Sequence, residues 1–193
     1  CAGMGALKYA HMSVASGNSR NAVAVGSELL SPMMLSRNFE SEAERIGQLE
    51  ANPMIAFEKE FLRWMLSDGS GAMLLENKPR GECDLQVEWV VSKSFAHELE
   101  TCMYFGGEKD AEGDFRGWKT YSAEELAPNA IMSMKQDTRL LGKHMCQFAV
   151  KWLAEVLEEK KVDIDTVDHF MPHLSSMFFR DKIQEELVAR NIH

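Results

Sequence analysis

The chain has 193 residues, about one domain at roughly 150 residues each. Its 45% apolar and 26% charged content excludes a disordered or collagen-like polymer. Thirty acidic against 21 basic residues give a net charge of −9, which excludes nucleic-acid binding driven by phosphate neutralisation. Residues 1–16 predict a helix, because Ala2, Ala6, Leu7, Ala10 and Val14 recur at helical spacing and Ser16-Gly17-Asn18 supplies a stop. Residues 21–27 are short, apolar and β-branched, and predict a buried strand. Residues 31–66 are mixed: 41–49, with Glu42 and Glu44 in a first turn, can start one helix, and 55–65 a second after the Asn52-Pro53 break. Residues 71–76 and 84–91 predict strands, the second with Leu85, Val87, Trp89 and Val91 on one face.

Residues 101–130 are rich in glycine, charge and aromatics, and are expected to form an irregular insertion. Residues 138–160 carry the clearest helix, with Leu141, Met145, Phe148, Ala149, Trp152, Leu153 and Val156 in one apolar stripe. The charged run at 155–161 is its solvated far side. Residues 167–171 predict a strand ending at Pro172-His173, and 176–190 a final amphipathic helix. This order of elements implies an α/β fold with helices layered on a mixed sheet.

No apolar run approaches the roughly 18 residues of a membrane span, and the first residues lack a signal-peptide pattern. Cys1, Cys83, Cys102 and Cys146 are sparse and irregularly spaced, which points to a reducing compartment rather than a disulfide framework. No histidine or cysteine pair has a compelling metal spacing: His169 and His173 are four apart, but Pro172 lies between them and the run reads as strand. No metal is expected. The thirteen methionines suit either adaptable core filler or the lining of a flexible apolar ligand.

Three features could carry chemistry. Cys1 stands at the amino end of the first helix, where free N–H groups and the helix dipole stabilise a thiolate. The same N–H groups can hold an oxyanion, and Gly3 permits close approach to the backbone. The bland alternative for Cys1 is a small buried residue. His173, fixed by Pro172 at a strand's carboxyl end, can act as a base or as a neutral N–H donor to an enolate, or be a satisfied structural histidine. Ser67-Asp68-Gly69-Ser70-Gly71-Ala72 is a glycine-alternating turn before an apolar strand, without the Lys-Ser/Thr ending of a phosphate loop.

Taken together and in order, four motifs resemble β-ketoacyl-(acyl-carrier-protein) synthase III of the thiolase superfamily. They are Cys1-Ala2-Gly3, Val25-Gly26-Ser27-Glu28, Ser67-Asp68-Gly69-Ser70-Gly71-Ala72 and Val167-Asp168-His169-Phe170-Met171-Pro172-His173. The long helix before the histidine strand matches as well. The resemblance covers nearly the whole chain and implies a layered α-β-α-β-α fold of two similar halves, incomplete here. Residues 1–90 would be the latter part of the N-terminal half, beginning at the nucleophile helix. Residues 91–193 would be the C-terminal half, ending before the family's Gly-Asn turn, so the chain is expected to be an internal part of a larger enzyme.

The implied activity is a ping-pong decarboxylative Claisen condensation in fatty-acid or polyketide-type biosynthesis. Cys1 would accept the acyl group, His173 would help stabilise the enolate, and Gly3 and Ser176 would contact substrate. Coenzyme A or phosphopantetheine thioesters would be substrates, with no further cofactor. The implied partners are acyl-coenzyme A or acyl-carrier protein, malonyl-carrier protein and a second copy in a cytoplasmic homodimer. The chain departs from the family at Leu174-Ser175-Ser176, where Gln-Ala-Asn is common, and at Phe178, where a basic residue often docks the carrier. These departures leave room for a longer β-ketoacyl substrate, for acyl transfer to an alcohol or amine, or for a silent cavity-shaping subunit. Residues 38–63 and 100–130 look longer than the family minimum, and the first could cap a tunnel or add dimer surface.

Overall fold

The alanine- and glycine-rich opening of the chain folds into α1 (Ala2–Ala15) in the computed structural model, which describes residues 2–40, 47, 50, 53, 62, 65–110 and 112–192. The expected stop is built as follows. Gly17 adopts φ +76, the Ser16 N–H donates to the Met12 carbonyl at 3.0 Å, and the Asn18 amide donates to Ser13 Oγ at 3.2 Å. The chain then turns into β1 (Asn21–Glu28), which pairs antiparallel with β2 (Gly69–Glu76) from Asn21↔Glu76 to Glu28↔Gly69. Small side chains let α1 lie close on this ribbon: Ala24 is buried, and a Cβ at Gly3 would stand 3.6 Å from Gly26 Cα. The opposite face carries Val23, Val25 and Leu74, all exposed. Register makes Val23 and Leu74 direct neighbours there.

Asp68 closes the open end of the ribbon. One carboxylate oxygen accepts the Leu30 N–H at 2.6 Å and the Ser31 N–H at 2.8 Å, where the chain enters the 3-10 turn Ser31–Met34. The helices expected at 41–49 and 55–65 lie, apart from single positions, outside the described residues.

The region expected to be irregular is more ordered than its composition suggests. It holds β3 (Met103–Phe105), a hairpin of β4 (Gly107–Lys109) and β5 (Phe115–Gly117), a 3-10 turn at Trp118–Thr120, and the short helix α2 (Ala123–Leu126). The hairpin loop is set by Asp110, whose Oδ1 accepts from Glu112 N at 3.1 Å and Asp114 N at 2.8 Å, with Gly113 at φ +90. Ser122 and Glu125 form a capping box on α2. β3 pairs antiparallel with β6 (Met134–Gln136), just before the long helix.

That helix, α3 (Thr138–Lys160), matches its predicted bounds. Asp137 caps it by accepting from Leu140 N at 2.8 Å, and Lys161 ends it in the left-handed conformation at φ 56. The last helix, α4 (Phe178–Val188), packs on α3. Buried Cys146, Val150 and Val156 of α3 and buried Phe179 and Leu187 of α4 make the core of this half.

Two predicted strands are not strands among the described residues. Residues 84–91 carry no ladder, and the expected buried face is not formed: Leu85 is 93% exposed, and Val87 and Trp89 are also exposed. Residues 167–171 are also irregular, following the 3-10 turn Ile164–Thr166. Alternating apolar residues specify a face to bury, but a ladder also needs a neighbouring strand to pair the backbone N–H and C=O groups. Neither segment has one among the described residues. The fold is therefore mixed α/β, with three two-stranded antiparallel sheets among the described residues where one mixed sheet was expected. Among the described residues no helix is long and apolar enough to cross a membrane.

Candidate active site

Segment 84–93 is held as a plank between α1 and α3. His11 Nε2 lies 3.1 Å from the Val87 carbonyl oxygen, and its N–H tautomer donates there. Lys8 Nζ donates to Ser92 Oγ at 3.0 Å, and Lys93 Nζ reaches Glu155 Oε2 of α3 at 2.5 Å. These polar contacts leave Val87, Trp89 and Val91, but not the exposed Leu85, to line the space beneath.

What they line is an open cavity of about 570 Å³. Met4 and Leu7 of α1 form one side, Val87, Trp89 and Val91 of the plank another. Met145, Ala149, Trp152, Leu153 and Val156 of α3 form the long wall, Ile183 comes from α4, and Phe170, Pro172 and His173 complete it. The predicted α3 stripe is thus mostly cavity wall.

His173 is exposed and lines this open apolar cavity, at the end of an irregular segment rather than of the expected strand. Met4 sits in the first turn of α1, and it lines the same cavity from the other end of the chain. Cys1 lies outside the described residues, and α1 begins at the residue after it. Gly3 lies in the first turn of α1, against Gly26. Ser176 is half-buried and starts α4: its Oγ accepts from Phe178 N at 3.2 Å and its carbonyl from Phe179 N at 3.1 Å. Phe178 is exposed, with Lys182 Nζ 4.4 Å from its ring centroid.

Two other cysteines, Cys102 and Cys146, are chemically quiet. Cys146 lines the cavity, and burial pushes its thiol up from the ordinary value. Burial also raises the Cys102 thiol. Both stay protonated at neutral pH, which makes them poor nucleophiles. Among the described residues no group of histidine, cysteine and carboxylate side chains could hold a metal ion. His173 is thus the imidazole on an otherwise apolar cavity wall.

Sequence reasoning missed the contributions of Met4, Leu7 and Ile183. The i, i+3 spacing of Met4 and Leu7 was the available signal. It also missed a second, polar cleft of about 320 Å³ where the hairpin meets the start of α3. There Lys109, whose side chain is 10% exposed, sits 3.2 Å from Glu100 Oε2 and 3.3 Å from Asp137 Oδ2. Burial opposes its charge, but hydrogen bonds to the two carboxylates outweigh that and hold the ammonium above its ordinary value. The lysine is thereby committed to its own carboxylates. The chain matches no protein-family model, and no curated protein matches it at a significant level.

Proposed function

We propose that this chain carries the nucleophile and the histidine of a decarboxylating condensing enzyme similar to β-ketoacyl-(acyl-carrier-protein) synthase III, built on a thiolase-like layered fold. The observation that supports it is the shared cavity. The first turn of α1, one residue beyond Cys1, and His173 line one apolar space although they lie at opposite ends of the sequence. A nucleophile near this helix start and an N–H donor on the same apolar cavity would supply the parts that thioester condensation needs.

In this reading the Cys1 thiolate attacks the acyl carbonyl, the bond to the donor sulfur breaks, and the donor leaves as its thiol. A malonyl thioester then binds, its free carboxylate departs as carbon dioxide, and the electron pair of the broken carbon–carbon bond is left as an enolate. His173 donates a hydrogen bond to the enolate oxygen. The enolate carbon attacks the acyl-Cys1 carbonyl, the carbon–sulfur bond breaks, and the Cys1 thiolate is restored. No metal or redox step is required. The two halves would divide at about residue 90, and the enzyme would work as a cytoplasmic homodimer drawing on coenzyme A or carrier-protein thioesters.

Intact-mass analysis of the full-length protein after incubation with acyl-coenzyme A tests the reading. The expected adduct sits on Cys1 and is absent from Cys1→Ala. Carbon dioxide release on adding malonyl-carrier protein is expected to need His173. An adduct retained by Cys1→Ala would sink the nucleophile assignment. Exposed Phe178, where family members often present a basic residue, favours a second reading in which Cys1 passes its acyl group to an alcohol or amine. In that case the adduct forms but no carbon dioxide appears.

A further inference from the structure

We infer that the acyl group held by this site is a straight chain of roughly a dozen carbons laid along α3, and that Ala149 keeps the middle of its path open. The inference rests on the acyl-thioester reading above. The α3 wall of the cavity runs from Met145 to Val156, which at 1.5 Å rise per residue is about 16 Å of helix. A fully extended chain of 1.52 Å carbon–carbon bonds advances about 1.3 Å per carbon, so about twelve carbons match that wall. Volume agrees: allowing each carbon roughly the 30 Å³ share of a liquid water, such a chain fits inside about 570 Å³ with room for its thioester head.

The chemistry of the lining selects in the same direction. Apart from His173 and the protonated Cys146 thiol, the wall offers aliphatic, thioether and aromatic surface. An acetyl group would leave most of that surface wet, whereas each further buried methylene gains hydrophobic free energy. Met4 and Met145 can adjust to a mobile chain. Ala149 lies midway along the wall, one turn from both Met145 and Leu153, and its single methyl leaves space that a larger residue would fill. It is exposed rather than packed in the core, so a larger side chain there can be accommodated by the fold.

The test acylates the full-length protein with acetyl-, butyryl-, octanoyl-, dodecanoyl- and hexadecanoyl-coenzyme A and follows the adduct by intact mass. Dodecanoyl transfer is expected to exceed acetyl transfer by at least about tenfold. In Ala149→Phe, dodecanoyl transfer should fall about tenfold relative to acetyl transfer. A measurement that needs no variant is the tryptophan emission of the wild-type protein, since Trp89 and Trp152 line the cavity. It should shift on titration with dodecanoate and not with butyrate. Acetyl transfer as fast as dodecanoyl, with no emission change, overturns the length inference and leaves the condensing reading standing. Dodecanoate binding with no adduct at any length supports the alkyl site and overturns the acyl-Cys1 reading. Absence of both overturns the two together.

Discussion

Asp137 performs two tasks at the start of α3, and they can be separated by substitution. Its Oδ1 accepts the Leu140 N–H at 2.8 Å as the helix cap, and its Oδ2 lies 3.3 Å from the largely buried Lys109 ammonium. Loss of an N-cap costs about 1 kcal/mol, within a range of roughly 0.5–2. Loss of a hydrogen bond to a charged group costs about 1.5–3 kcal/mol, moderated here because Glu100 remains at 3.2 Å to share the charge. Asp137→Ala removes both and is expected to cost about 2–4 kcal/mol. Asp137→Asn keeps a competent cap but no charge, and is expected to cost about 1–2 kcal/mol. Urea denaturation of the full-length protein, followed by far-ultraviolet circular dichroism, measures both. Equal losses for the two variants would show that the cap contributes nothing. A loss under about 0.5 kcal/mol for Asp137→Ala would refute both roles.

Asp68 is held below the usual carboxylate range by hydrogen bonds from the Ser31 hydroxyl and N–H and from the Leu30 N–H. A carboxyl group whose folded value is depressed contributes its full stability above the unfolded value, near 3.8, and loses it as pH falls through the folded one. Asp68→Asn should therefore show a shallower acid slope than the wild type below about pH 4 in stability-versus-pH titrations, and identical slopes would contradict the clamp. At Gly107 a Cβ would meet the Arg116 carbonyl oxygen at 2.7 Å as well as the Phe115 ring. Gly107→Ala is expected to cost about 1–3 kcal/mol and to speed hydrogen exchange across the β4–β5 hairpin. Unchanged exchange there would show that the hairpin yields freely.

What could be read from sequence was what is local. The bounds of α3 follow from a cap at Asp137 and a stripe recurring every three or four residues, so the helix was legible almost residue by residue. α1 and the strands β1 and β2 were legible through spacing and turn residues, but not their pairing, and the burial expected of residues 21–27 fails because Val23 and Val25 lie on the uncovered face of a two-stranded ribbon. Residues 84–91 and 167–171 misled because alternation marks a buried face but says nothing of a hydrogen-bonding neighbour, which depends on distant chain. The three-residue strands between Met103 and Gln136 are too short to show a period at all. The site divides along the same line. His173 stood out by its proline and its apolar run, while the cavity it faces is assembled from α1, the plank, α3 and α4, and no single stretch announces it.

The clamp at Asp68 bears on how such a chain can change over evolutionary time. One carboxylate ties residues thirty-eight positions apart, so both feet of a long excursion are fixed to the same end of the β1–β2 ribbon. Loop-closure entropy grows only with the logarithm of length, and doubling the excursion would cost only about 0.6 kcal/mol. That term therefore sets little limit on the length of the stretch between Ser31 and Ser67, in which the fully buried Leu62 is the fixed point that any change of length must keep.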